Sequence, residues 1–196
     1  FLPTQIKIWT NGELLQTEKN AADSERYYPS ISTDTRTVKA EEIFVPLRGD
    51  YFDGHHFLHE AYERGAGMLV IANDAPEKEE FLKLLDTDED APDILMVEDT
   101  WKAYQDIASG YRNVLEASVI SVTGSVGKTT TRRMIYCMIE SQVRAEQSQR
   151  NYNNQVGLPR TILSTNPKTQ ALVAELGMDR KGEIRTLSHI ARPDIS

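Results

Sequence analysis

Apolar positions along the chain follow two alternating rhythms. Short runs rich in Val, Ile, Leu and Met, namely Ile43 to Leu47, Met68 to Ala72, Ile94 to Val97, Val119 to Val122 and Ala171 to Ala174, have the length and composition of buried strands. Between them apolar residues recur every three or four positions, the spacing of a helix that packs by one face. The spacing predicts helices over about Phe57 to Arg64, closed by Gly65, and Glu77 to Leu85, with Phe81, Leu84 and Leu85 inward. A further helix is capped by Thr100, and its stripe of Trp101, Tyr104, Ala108, Tyr111 and Leu115 reads as core. Two more begin near Lys128 and Gly182; Ile184, Leu187 and Ile190 line the last, Pro193 stops it, and His189 sits on its surface. At the start, Ile6, Ile8 and Trp9 predict a short strand, Asn11-Gly12 a turn and Leu14-Leu15 the return, with a polar loop from Glu18 to Glu25. Pro46 places the Ile43 strand at a sheet edge. Breaks around Pro92-Asp93 and Glu98 to Thr100 divide the chain into domains 1–98 and 99–196. Strands alternating with helices make the fold class α/β: a small N-terminal β/α domain, then an α/β domain with a mainly parallel sheet.

The second domain opens with the most informative stretch. Val119, Ile120 and Val122 lead into T-G-S-V-G-K-T-T, and Met134, Ile135, Met138 and Ile139 then mark one face of a helix. Strand, glycine loop, Lys-Thr and helix is the order of a phosphate-binding loop. Gly124 and Gly127 let backbone N–H groups turn inward, and the helix that starts at Lys128 adds the positive end of its dipole. Lys128 brings a point charge for β- and γ-phosphates, and Thr129 a hydroxyl for Mg²⁺. The general motif has Gly five residues before Gly127, where this chain has Val122, so a shorter form of the loop stands here. The bland reading is a strand-to-helix turn with an exposed lysine.

Other segments carry polar groups in patterns that two readings fit. Ser30 to Arg36 ends a strand in hydroxyls, a carboxylate and an arginine: Thr35 and Arg36 as ligand contacts with Asp34 positioning the arginine, or an Asx turn. Arg48 to Phe57 is a loop with two glycines and several side chains able to meet a ligand. His55 and His59 are four apart, but no third metal ligand or H-E-x-x-H order accompanies them, so they read as loop or surface residues. Asn151, Asn153, Asn154 and Gln155 precede Val-Gly-Leu-Pro159; amides donate and accept, which suits a phosphate beside a peptide carbonyl, and a polar turn fits equally. Glu175 ends a buried strand where phosphate-loop proteins commonly place a magnesium carboxylate. Asp179 to Gly182 spells D-x-x-G, a short pattern shared with GTP switches.

Composition narrows the classes. Hydrophobic content of 39% and charged content of 27% describe a folded globular chain rather than a disordered one. The net charge of −8, crowded at Glu77, Glu79, Glu80, Asp86, Asp88, Glu89 and Asp90, argues against duplex nucleic acid as a partner. No apolar run is long enough to span a bilayer, and no signal peptide is visible. One cysteine, Cys137, excludes an internal disulfide and fits a reducing compartment; among Met134, Ile135 and Met138 it reads as buried packing.

T-D-T-R at 33–36, F-V-P-L-R-G-D-Y-F-D-G-H-H-F at 44–57 and G-A at 65–66 resemble the N-terminal domain of the Mur ligases. T-G-S-V-G-K-T-T, N-Y-N-N-Q-V-G-L-P and E-L-G-M-D-R-K-G-E-I resemble the first part of their central ATPase domain, and the similarity runs from about Ser30 to the end. The last two stretches are most similar to the branch that adds D-alanyl-D-alanine. The resemblance implies an ATP-dependent acid–amino-acid ligase of the bacterial cytoplasm, acting in peptidoglycan precursor synthesis; the sequence does not give its oligomeric state, and a monomer is the expectation. ATP phosphorylates the carboxylate of UDP-N-acetylmuramoyl-tripeptide, and the amine of D-alanyl-D-alanine attacks the acyl phosphate. Residue by residue, it implies that Gly124, Ser125, Val126, Gly127, Lys128, Thr129 and Thr130 hold ATP, and that Thr129 and Glu175 hold Mg²⁺. It makes Lys128, Glu175 and Asn154 the catalytic set, with Asn153 or Asn154 facing the precursor and Asn154 favoured. Thr35, Arg36, Gly49, Asp53, Gly54 and His55 would hold the uridine diphosphate end, and Asp34 would be structural. The family's later histidine, carbamylated lysine, adenine-binding residues and C-terminal domain fall past Ser196, so residues 1–196 alone are expected not to ligate. The alternatives are the third-residue-adding ligase or a folylpolyglutamate synthetase, a GTP-binding switch, and a nucleotide-binding module without turnover.

Overall fold

The computed structural model describes residues 1–49, 51–149 and 151–196; Asp50 of the 48–57 loop and Arg150, which opens the amide-rich stretch, lie outside the described residues. The architecture is mixed α/β with mainly parallel sheets, in two units, Phe1–Tyr104 and Gln105–Ser196.

The first unit holds helix α1 (Pro3–Thr10), strand β1 (Glu13–Leu15), α2 (Glu18–Ala22), β2 (Ile31–Ser32), β3 (Ile43–Phe44), a 3₁₀ turn (Gly54–Phe57), α3 (Leu58–Glu63), β4 (Met68–Ala72), α4 (Lys78–Thr87), β5 (Asp93–Val97) and the start of α5 (Thr100–Val114). Its sheet runs β1-β5-β4-β3-β2, with β1 antiparallel to β5 and the rest parallel. β4 and β5 are buried at every position because helices and loops cover both faces of the parallel strands, which is why they read as unbroken apolar runs. Phe44, Leu58, Leu69, Ile71, Phe81 and Ile94 form the centre of this core.

Three expectations change here. Residues 3–10 form a helix, started by Pro3 in its first turn and ended by Asn11 at φ 52°, so Ile6 is buried and Ile8 faces out, where a strand would have put both on one face. Residues 18–22 form a helix and not a loop, because the Thr17 side chain accepts the Asn20 N–H at 3.1 Å. β3 is an interior strand between β2 and β4, and Pro46 lies beyond its paired residues, where it removes no ladder hydrogen bond.

The second unit continues α5 and adds β6 (Ser118–Val122), α6 (Lys128–Ile139), β7 (Ala145–Gln147), α7 (Gly157–Ser164), β8 (Ala171–Glu175) and α8 (Glu183–Ala191). Its three strands are parallel in the order β6-β8-β7, with Val122 opposite Glu175. Ala108, Leu115, Val119, Leu158, Ile162, Leu172, Leu187 and Ile190 make its core. Asp99, not Thr100, caps α5: its carboxylate accepts the Trp101 N–H at 2.8 Å and the Lys102 N–H at 3.3 Å.

α6 departs from its apolar pattern. Its inward face is Arg132, Ile135, Tyr136 and Ile139, at helical spacing, whereas Met134, Cys137 and Met138 are exposed. The expectation that Cys137 is buried is therefore corrected: the apolar residues span more of the helix than the sheet covers.

Candidate functional site

In the second unit the site assembles at the carboxyl ends of parallel strands, where loops converge and ligands of open α/β sheets bind. β8 lies between β6 and β7, so its last residue, Glu175, borders elements from both neighbours. The loop Thr123–Gly127 leaves β6 and enters α6 through Gly127 at φ 82°; Gly124 has φ 145°. Both values lie where a Cβ is strained, which explains the two glycines. No side chain caps α6 from Gly127, so its first-turn amides at Lys128 and Thr129 are oriented toward the loop, an arrangement that receives anions. The Lys128 amine folds over the loop and donates to the Gly124 carbonyl at 2.8 Å. Ser125, Val126 and Thr130 are exposed around it.

Glu175 is 2% exposed and engaged on both oxygens. Thr129 Oγ1 donates to Oε2 and Asn153 Nδ2 to Oε1, each at 2.9 Å, and the Glu175 N–H donates to Ser148 Oγ at 3.1 Å. The structure thus brings Thr129, Glu175 and Asn153 together, with Lys128 next to Thr129 in the first turn of α6 and its amine held at Gly124. Asn154 is occupied elsewhere, since its Oδ1 accepts the N–H groups of Val156 and Gly157 at 3.1 and 2.8 Å, at the start of α7. A hydroxyl and a carboxylate are hard oxygen donors of the kind Mg²⁺ takes, with phosphate oxygens and water completing its shell. Among the described residues no group of three or more His, Cys, Asp or Glu could hold a metal ion, so magnesium here would need a phosphate to complete its ligands. The residues present fit that arrangement.

The first unit has its own cluster of loops, after the carboxyl ends of β2, β3 and β4. In the β2 loop Asp34 accepts the Arg36 N–H at 3.0 Å, an Asx turn, and also binds the Arg36 guanidinium at 2.7 and 2.9 Å, so the carboxylate both makes the turn and holds the arginine. The Arg36 side chain is 83% exposed. Thr35 is buried, and its hydroxyl donates to Glu60 of α3 at 2.9 Å. In the β3 loop Arg48 pairs with Asp53 at 2.8 Å and with Asp74, after β4, at 2.8 Å. Gly49 donates its N–H to the Phe52 carbonyl. A Cβ on Gly54 would lie 2.7 Å from the Leu47 carbonyl oxygen, so only glycine permits this close approach.

His55 is 1% exposed, and both ring nitrogens are engaged. Nε2 accepts the Ala72 N–H at 3.1 Å, so Nδ1 carries the proton and donates to Asp53 at 2.6 Å. Burial pushes the Asp53 carboxyl up, but the His55 backbone and ring and Arg48 outweigh it and hold it below the ordinary carboxylate value. His59 instead contacts Glu80 at 3.1 Å, so the two histidines serve different partners. Tyr51 and Phe52 project from the same loop as His55.

Two residues at the carboxylate escaped the sequence reading. Arg132 and Ser148 are buried against Glu175. Arg132 was legible in principle, since it follows Thr129 by three on a helix and so shares its face; Ser148 was not.

Residues 122–196 match the family described as the Mur ligase middle domain. The chain is 38% identical over 164 residues to the UDP-N-acetylmuramoyl-tripeptide–D-alanyl-D-alanine ligase of Bacillus subtilis, an alignment covering 84% of this chain and 34% of that protein. It is 37% identical over 166 residues to the ligase of the same name from Synechocystis, covering 85% and 34%. Among solved structures it resembles MurF from Acinetobacter baumannii with a TM-score of 0.82 at 26% identity, over 98% of this chain and 39% of that one. It also resembles the MurF ligase from Thermotoga maritima solved in complex with ADP, with a TM-score of 0.70 at 28% identity, over 84% and 36%. The chain spans about a third of the length of the curated relatives it matches.

Proposed function

The chain belongs to the Mur ligase family, and from that premise we propose that it serves an ATP-dependent ligase that joins D-alanyl-D-alanine to UDP-N-acetylmuramoyl-tripeptide in the bacterial cytoplasm. The observation that carries this reading is the contact of Thr129 with Glu175 at 2.9 Å, in the first turn of α6 that the Gly124–Gly127 loop enters.

In this reading the backbone amides from Gly124 to Thr130 receive the phosphates of ATP, and Lys128 exchanges its bond to Gly124 for the β- and γ-oxygens. Thr129 and Glu175 hold magnesium, which when bound neutralises charge on the transferred phosphate. Asn153 keeps the Glu175 carboxylate turned toward Thr129. Asn154 stays at the head of α7, where it would shape the loop that borders the precursor. Both nucleophiles of the reaction, a substrate carboxylate and a substrate amine, come from outside the protein, so alignment and charge neutralisation are what its residues must supply. The uridine diphosphate end is assigned to the first unit: Arg36 offers an exposed guanidinium, and Thr35, Gly49, Asp53, Gly54 and His55 hold the neighbouring loops in shape. The GTP-switch alternative is not favoured, because the amides of Asp179 and Arg180 are held by Glu183 at the head of α8, at 2.7 and 2.9 Å.

Lys128→Ala should lower nucleotide-dependent phosphate release by on the order of 100-fold or more, with unchanged circular dichroism, in an assay of the full-length protein with the tripeptide precursor, D-alanyl-D-alanine and ATP. Retained turnover in that variant would overturn the site.

A further inference from the structure

Arg132 is 6% exposed, an expensive place for a charge unless neighbouring groups compensate its lost hydration. It stands one turn after Thr129 on α6, so both side chains face the end of β8. Thr129 Oγ1 donates to Glu175 Oε2, and Arg132 Nε lies 4.0 Å from that same oxygen. Arg132 Nη1 donates to the Ser148 carbonyl, just past β7, and Ser148 Oγ accepts the N–H of Glu175. Arg132, Ser148, Glu175 and Thr129 therefore form a closed ring that ties the phosphate-loop helix to the ends of two strands. A planar guanidinium suits this work, because its delocalised charge can stand beside Glu175 while a donor fixed in the same plane is held by the Ser148 carbonyl.

Resting on the assignment of Thr129 and Glu175 to magnesium, we infer that Arg132 is a positioning residue for the metal carboxylate: it holds Glu175 against α6 in the geometry that magnesium–nucleotide binding requires. It does so through Ser148 and through its charge beside Oε2, without touching nucleotide. Groups that orient a metal ligand commonly change metal affinity by about 10- to 100-fold when removed.

The test separates the metal step from nucleotide binding. Binding of ADP to the full-length protein is measured by calorimetry with EDTA and again with magnesium chloride, for the unsubstituted protein, Arg132→Met and Arg132→Lys, with thermal denaturation alongside. The expected result is that Arg132→Met loses about tenfold of the magnesium-dependent tightening, keeps its metal-free ADP affinity, and that Arg132→Lys recovers part of the loss. A tightening that survives in Arg132→Met, an equal loss with EDTA, or no recovery by lysine overturns the inference. If Arg132→Met does not fold, Arg132→Lys decides alone: a severalfold loss confined to the magnesium step supports the inference, and an unchanged step overturns it. Should the unsubstituted protein show no magnesium-dependent tightening, the nucleotide-site reading itself falls and takes the inference with it.

Discussion

A single proton settles what His55 does. With Nε2 accepting from the Ala72 backbone, the ring must donate from Nδ1, and Asp53 is its acceptor; the same carboxylate receives the His55 N–H at 2.9 Å and Arg48 at 2.8 Å. Asp53 thereby begins the 3₁₀ turn and fixes the loop that displays Tyr51 and Phe52. Its ionised form is favoured by folding, so its contribution is full above the ordinary carboxylate value of about 4 and is lost as pH falls through its lower folded value. Asp53→Ala should cost about 1 kcal/mol at neutral pH, and urea denaturation should show that gap constant above about pH 5 and closing in more acid solution. The adjacent asparagines make a similar point. Sequence marks an amide at 153 or 154 as facing the precursor but reports neither side chain's protein contacts; α7 takes Asn154 for its first turn, and Asn153 meets Glu175.

Elements reveal why some boundaries were legible and others not. Long periodic helices such as α4, α5 and α8 formed as their patterns predict, because one buried face dictates their spacing, and β4 formed from an apolar run that is buried on both faces. Short elements follow local hydrogen bonds instead. α1 and α2 depend on Pro3, Asn11 and Thr17, too few signals to outweigh a strand-like or polar composition. Asp99 precedes the expected cap Thr100 by one residue, and both types can fill that position. Asp99→Ala should therefore destabilise the protein by about 1 kcal/mol and lower the melting temperature by about 2–4 °C, measured by circular dichroism. α6 was located by its glycine loop, yet the direction its apolar residues face depends on how much sheet lies beneath it, and Met134 and Met138 are left exposed.

Across the whole molecule, remote segments meet in ways no local pattern reports. Asp93, fully buried at the start of β5, accepts from Gln16 at 2.8 Å, Asn20 at 2.9 Å and Arg26 at 3.0 Å, and from the Tyr28 hydroxyl. Burial, followed by the neighbouring Asp93 carboxylate, pushes that hydroxyl's ionisation well above its ordinary value, so Tyr28 serves as a donor throughout the physiological range. This network ties residues 16–28 of the N-terminal segment to the parallel sheet of the first unit. Asp93→Ala leaves several buried donors without their acceptor and should cost about 3–5 kcal/mol; a loss below about 1 kcal/mol in urea unfolding would show that the network adds little. In the second unit the equivalent long-range event is strand order: β8 inserts between β6 and β7, which brings Glu175 to Thr129, 46 positions away.

From its order of residues alone, this chain was bound to form alternating strands and helices, a glycine loop entering a helix at Gly124 to Thr129, and a carboxylate at the end of a buried strand. Those features depend on periodicity, glycine and local spacing, which are properties of neighbouring residues. Only the tertiary structure put Asn153 against Glu175 and Asn154 at the head of α7, turned Cys137 outward, and set Arg132 and Ser148 around Glu175. Those choices come from which strands pair and which helix face the sheet covers, long-range contacts whose partners a linear pattern does not name.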